Sequence, residues 1–205
     1  MLWQIRFFPR CSHHVFLSHC REDRDWLVFP LFEALQRCGI VPWLDRHDYP
    51  YGRTSFEALR DSVLKCRHTI FLVTTAMLDQ PRGWSIVELA WAELIQENLR
   101  VAGATLQTIA LPLFFLDYAD GRIARSAWQP LCERAVFHQP RYGAPVSWAT
   151  RQIRDFLQRE ARRGKDVADG VQQDARLRDQ LADPPGLFDR VTARYPESLT
   201  IPPSA

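Results

Sequence analysis

The sequence predicts an α/β chain built on a parallel sheet, and two features carry that expectation. Short apolar runs alternate with longer amphipathic ones along most of the chain. One run, TIFLVT at residues 69–74, holds almost no polar side chain, which suits a strand covered by helices on both faces. Strand–helix alternation of this kind implies right-handed crossovers between neighbouring parallel strands.

Taken in order, HVFLS at residues 14–18 reads as the first buried strand. Residues 24–38 follow with Trp26, Leu27, Phe29, Leu31 and Leu35 at helical spacing. Pro30 inside that run marks either a kink or a later helix start. Gly39 supplies the helix stop, and residues 40–44 form a second strand. Residues 47–54 (HDYPYGRT) are a turn-rich loop, after which Thr54 or Ser55 caps a helix over residues 56–65. The third strand spans residues 69–74, a third helix residues 84–99, and a fourth strand residues 107–116. A short fifth strand at residues 135–138 and a last helix over residues 147–163 complete the pattern. From Gly164 to Asp183 the chain turns polar, and Pro184, Pro185, Pro196, Pro202 and Pro203 punctuate its end. A short helix is expected at residues 174–181 in a solvated tail.

Composition narrows the function classes. The chain has 205 residues, enough for one α/β domain and a short appendage. Its hydrophobic share of 46% supplies a packed core. A net charge of +2 is too mild to point to nucleic acid. The longest apolar stretch, residues 109–116, is broken by Pro112 and falls far short of the roughly 20 residues that cross a bilayer. The opening MLWQIRFFPR lacks the continuous apolar core and small-residue cleavage site of a signal peptide. Five widely spaced cysteines without a C-x-x-C pair read as free thiols in a reducing cytosol. His13, His14 and His47 do not stand at metal-ligand spacing, so no metal is expected.

In a doubly wound sheet, ligands bind outside the carboxyl ends of the strands. Residues 18–25, 45–55 and 75–88 would converge there. No G-x-G-x-x-G follows a strand and no Walker lysine loop is present, which disfavours a dinucleotide-binding dehydrogenase or a P-loop nucleotidase. Glu88 lies in GWSIVELAWAEL, one helical turn after Trp84. Composition alone makes such a carboxylate an ordinary solvated residue favoured by the helix dipole.

HHVFLSHCRED, GIVPWLDRHDYPYGRTSFEALRDSVLKCRHTIFLVT and GWSIVELAWAEL, in that order, resemble the TIR domain family. The first carries a hydrophobic-Ser-His strand end at Phe16–His19, with Asp23 behind it. The second resembles the family's strand, BB loop and helix, with Asp45 ending the strand and Gly52 in the loop. The third resembles the W-x-x-x-E-L segment, in which enzymatic members carry their glutamate; here Trp84 and Glu88. The loop departs from a simple proline-glycine turn in its tyrosines Tyr49 and Tyr51, and Ser85 stands where many relatives carry cysteine.

That resemblance implies a flavodoxin-like three-layer fold with a five-stranded parallel sheet over residues 14–160. Residues 1–13 are then an N-terminal extension and residues 161–205 a helical or extended tail. It further implies an NAD+ glycohydrolase or ADP-ribosyl cyclase, with NAD+ as substrate and no resident cofactor. Glu88 is the catalytic residue on this reading, and Ser18, His19, Arg21, Arg53 and Trp84 bind NAD+. Arg21 and Arg53 suit the pyrophosphate, because guanidinium groups make bidentate phosphate contacts. Trp84 suits either stacking or core packing. The chain looks most like a prokaryotic stand-alone member of a Thoeris-like antiviral system, cytoplasmic and homo-oligomeric through TIR–TIR contacts. A separate effector would sense the product, and neither nucleic acid nor membrane is an expected partner. The main alternative is a non-catalytic interaction module. A nucleoside 2-deoxyribosyltransferase-like enzyme stands third and a phosphoacceptor receiver fourth, the latter disfavoured by Ser18-His19 and Thr74-Thr75 at its acidic positions.

Overall fold

In a computed structural model of the chain, parallel strands form one sheet in the order β2-β1-β3-β4. The structure describes residues 13–44, 63, 66–79, 84–101, 110–116, 121–123, 126, 128–129 and 144–165. The strands are β1 (His13–Ser18), β2 (Pro42–Trp43), β3 (Cys66–Val73) and β4 (Ala110–Phe114). Phe16 lies opposite Trp43 on β2 and Thr69 on β3, Ser18 opposite Phe71, and Val73 opposite Phe114. The expected loop at 47–54, the fifth strand at 135–138 and the tail helix at 174–181 lie outside the described residues. So does the helix at 56–65, apart from Val63, which is buried.

Alternation along the strands divides the core in two. Val15, Leu17, Ile70, Leu72, Leu111 and Leu113 face one side, where α1 (Phe29–Arg37) and α4 (Pro145–Lys165) cover them. Phe16, Phe71, Val73 and Phe114 face the other. That side is covered by α3 (Trp84–Val101), through Ile86, Val87, Leu89, Ala90 and Trp91, and by Met77 of the short α2 (Thr75–Leu78). The three-layer α/β arrangement read from the sequence is thus the one observed.

One element resolves an open alternative and one differs from the sequence reading. Over residues 24–38 the α-helix starts late, one of the two outcomes Pro30 allowed: a π-helical turn at Arg24–Val28 precedes α1. Pro30, at the start of α1, has no N–H to donate, and its ring would crowd the carbonyl four residues back. The wider turn, closed by the Phe29 N–H on the Arg24 carbonyl, removes that conflict. Strand β3 starts at Cys66, ahead of the apolar run, so Arg67 and His68 belong to it. His68 is fully buried with its ring edge-on to Phe156 of α4, centroids 4.9 Å apart.

Helix α1 ends as expected at Gly39, the residue with a positive φ of 75°. The Gly39 N–H reaches Gln36 O at 2.9 Å and the Ile40 N–H reaches Leu35 O at 3.1 Å. This paired closure is a Schellman motif, and buried Ile40 then starts the run into β2. A Cβ at this φ is strained, so Gly39→Ala is expected to cost about 1–2 kcal/mol in denaturant unfolding. Leu72→Ala, in the strand covered on both faces, is expected to cost about 2–5 kcal/mol by the same measurement.

Candidate functional site

Strand order reverses between β1 and β3, because β2 lies beyond β1 on one side and β4 beyond β3 on the other. In open parallel sheets the crevice at such a switch point, outside the carboxyl ends of the strands, is where ligands bind. Ser18 and His19 leave β1 there, and Thr74 leaves β3.

The two exits are joined by side chains. Asp23, in the 3-10 turn Arg21–Asp23, is buried, as is Thr74. The Thr74 hydroxyl donates to Asp23 Oδ2 at 2.5 Å and accepts the Met77 N–H at 3.2 Å, which caps α2. Trp26 Nε1–H donates to the second oxygen, Asp23 Oδ1, at 3.0 Å. Burial pushes the Asp23 carboxyl above its ordinary value, and the bonds from Thr74 and Trp26 oppose that shift.

Ser18 is 1% exposed, and its Oγ has no hydrogen-bonding partner among the described residues. It alternates with Phe16 and therefore belongs to the face that α3 covers. His19 is braced at both nitrogens. Nδ1 lies 2.9 Å from Leu17 O, and Arg24 Nε, which can only donate, lies 3.1 Å from Nε2. A ligand arriving here meets an imidazole whose nitrogens are already engaged. Arg21 is exposed on the adjoining turn. Cys20 is buried, and burial, with Glu22 beside it, pushes its thiol up to about 12. A thiol shifted this way favours its protonated form.

Trp84 opens α3 and packs, half-buried, against the core on the Ser18 side of the sheet. Glu88 follows one turn later, half-buried between Val87 and Leu89, which are fully enclosed. Arg53 lies outside the described residues. Among the described residues no group of His, Cys, Asp or Glu is placed to hold a metal ion, and no helix is long and apolar enough to cross a membrane. Cys20, Cys38 and Cys66 are free thiols.

With this geometry in place, the family model for the TIR domain matches residues 15–129, more than half of the chain. The chain belongs to the TIR domain family. Over 88 residues, 40% of the chain, it is 31% identical to Toll-like receptor 12 of Mus musculus. It spans only about a tenth of that protein, the match covering 10% of it. Among solved structures it is similar to a metazoan TIR-STING receptor from C. gigas, with a TM-score of 0.47 and 13% identity, covering 73% of this chain and 40% of that one. It is also similar to the TIR domains of the activated Roq1 resistosome that recognises the effector XopQ. There the TM-score is 0.42 and the identity 15%, covering 92% of this chain and 99% of that one.

Sequence reasoning about this TIR domain overlooked Thr74 and Trp26. Trp26 was expected on the buried helical face, yet it is 48% exposed and serves Asp23 through its indole N–H. Thr74 carried one local signal, a threonine at a strand end just before a short helical segment.

The raised pKa of Asp23 has a testable sign. The folded protein takes up this proton at a pH where the unfolded chain, near 3.8, has already lost it. From 3.8 upward through the raised value, the group's contribution to stability falls as pH rises. Wild type is therefore expected to gain on Asp23→Asn as pH is lowered from neutral toward that limit, measured by denaturant unfolding at stepped pH. A difference independent of pH would contradict the assignment.

Proposed function

We propose that this TIR domain cleaves the nicotinamide–ribose bond of NAD+, with Glu88 as the catalytic residue. The observation that carries the reading is the position of Glu88. The W-x-x-x-E-L segment forms the first turns of α3, the helix covering the face that holds the Ser18 hydroxyl, which has no partner among the described residues.

The chemistry asks for little beyond one carboxylate. Nicotinamide is bound to C1′ as a cation, and when the C1′–N bond breaks the electron pair leaves with the ring, which departs neutral. No general acid is required. Positive charge develops on the ribose, and an ionised carboxylate held beside it stabilises that charge and accepts hydrogen bonds from the 2′ and 3′ hydroxyls. Water then attacks C1′ and loses a proton, giving ADP-ribose; attack by another nucleophile of the same molecule gives a cyclic product.

Around that reaction Ser18 Oγ is a buried hydroxyl that a ribose or phosphate oxygen would satisfy, relieving an unmet group worth about 1–3 kcal/mol. Arg21 and Arg53 would meet the pyrophosphate, and Trp84 would close the side nearest Glu88. His19 contributes a ring already braced by Leu17 O and Arg24. We further assign the protein to a cytoplasmic, Thoeris-like antiviral role in which TIR–TIR assembly completes the site and a separate effector senses the product.

The test is NAD+ consumption by the purified full chain and its Glu88→Ala variant at high protein concentration, with products separated by chromatography. Wild type is expected to release nicotinamide, and Glu88→Ala to lose about 10²–10³ in rate while unfolding at the same temperature. Wild-type protein that releases no nicotinamide even when assembled, or a variant as fast as wild type, would overturn the reading. The first result would favour an interaction module.

A further inference from the structure

The loops after β1 and β3 are tied by a bond that neither the strand ladder nor the apolar core requires. Thr74 is the residue just past β3, and Asp23 lies in the turn that follows β1. They are 51 positions apart in sequence, yet their side-chain oxygens are 2.5 Å apart, and each residue is 3% exposed. We propose that Asp23 and Thr74 are positioning residues of the NAD+-cleaving site, whose hydrogen bond sets the spacing of the two loops and thereby places Ser18 against the substrate ribose.

Three details carry this. The Thr74 hydroxyl is used in both directions, donating across the crevice to Asp23 and accepting the Met77 N–H, so one atom aims the start of α2 as well as the loop. Both Asp23 oxygens are used too, one for Thr74 and one for Trp26. A buried carboxylate held by neutral donors is costly, and an apolar pair of similar shape would fill the same volume; what the polar pair adds is a fixed relative placement.

The segment between Asp23 and Ser18 transmits that placement. The Asp23 N–H bonds to Cys20 O at 3.1 Å, Cys20 is itself buried, and the His19 ring is held by Leu17 and Arg24. With so few free torsions, a shift at Asp23 moves the end of β1. Misplacement of a reacting group by about 1 Å costs about 10²-fold in rate.

The inference rests on the NAD+ reading for its substrate but not for its geometry, and the experiment separates the two. Thr74→Val keeps the shape and loses the hydroxyl, Thr74→Ser keeps the hydroxyl, and Asp23→Asn removes the charge. Each is assayed in the full chain for kcat and KM with NAD+, normalised to the folded fraction, and for the Trp26 indole N–H resonance. Thr74→Val and Asp23→Asn are expected to lose about 10²-fold in kcat with little change in KM, while Thr74→Ser recovers most of it. The Trp26 indole signal is expected to shift in Asp23→Asn. A folded Thr74→Val with wild-type kcat, or Thr74→Ser as impaired as Thr74→Val, would overturn the proposal. Should wild type itself release no nicotinamide, the substrate reading falls. The tie is then decided by Met77 amide exchange and the indole signal, and Thr74→Val that leaves both unchanged overturns it.

Discussion

The pairing of β1 with β3 is the constraint on which the site depends. These strands are separated by α1 and β2 in sequence, yet they run side by side from His13 opposite Cys66 to Ser18 opposite Phe71. Their apolar residues divide between two helical layers, so a slip of one residue would turn Phe16 and Phe71 into the wrong layer. Because that register is so strongly specified, the carboxyl ends of the two strands always meet, and with them Ser18, Asp23 and Thr74. The hydrogen bond between Asp23 and Thr74 then finishes locally what the ladder begins at longer range.

Most polar groups at the end of β1 are already engaged within the protein. The His19 ring nitrogens face Leu17 O and Arg24 Nε, burial pushes the Cys20 thiol up, and both Asp23 oxygens accept from Thr74 and Trp26. A reaction whose leaving group departs neutral, and which asks only for a carboxylate beside the ribose, is compatible with this economy. Glu88 on the helix facing Ser18 is the carboxylate the proposed chemistry uses.

Much of the fold was legible because burial writes itself into composition. VFL in β1 and IFLV in β3 are apolar at every position, as strands covered on both faces must be, and Gly39 announced the helix stop that its φ requires. The first two residues of β3 beyond Cys66 were hidden because Arg67 and His68 are polar; only the packing of His68 on Phe156 explains its burial. The π turn before α1 was hidden as well, since a proline at that place is equally consistent with a kink. Ser18 could be placed from the end of an apolar run and Glu88 from its motif. The partnership of Asp23 with Thr74 could not, because contacts between residues 51 positions apart leave no periodicity to read.

On the proposed function, the crevice between β1 and β3 receives NAD+ with its nicotinamide ribose between Ser18 and Glu88. The most direct test is a crystal structure of the full chain with an uncleavable carbocyclic NAD+ analogue. The analogue is expected outside the carboxyl ends of β1 and β3, with the Glu88 carboxylate on the hydroxyls of the nicotinamide-side ring and the Asp23–Thr74 bond intact. An analogue bound elsewhere, or bound there with Glu88 turned away from that ring, would contradict it.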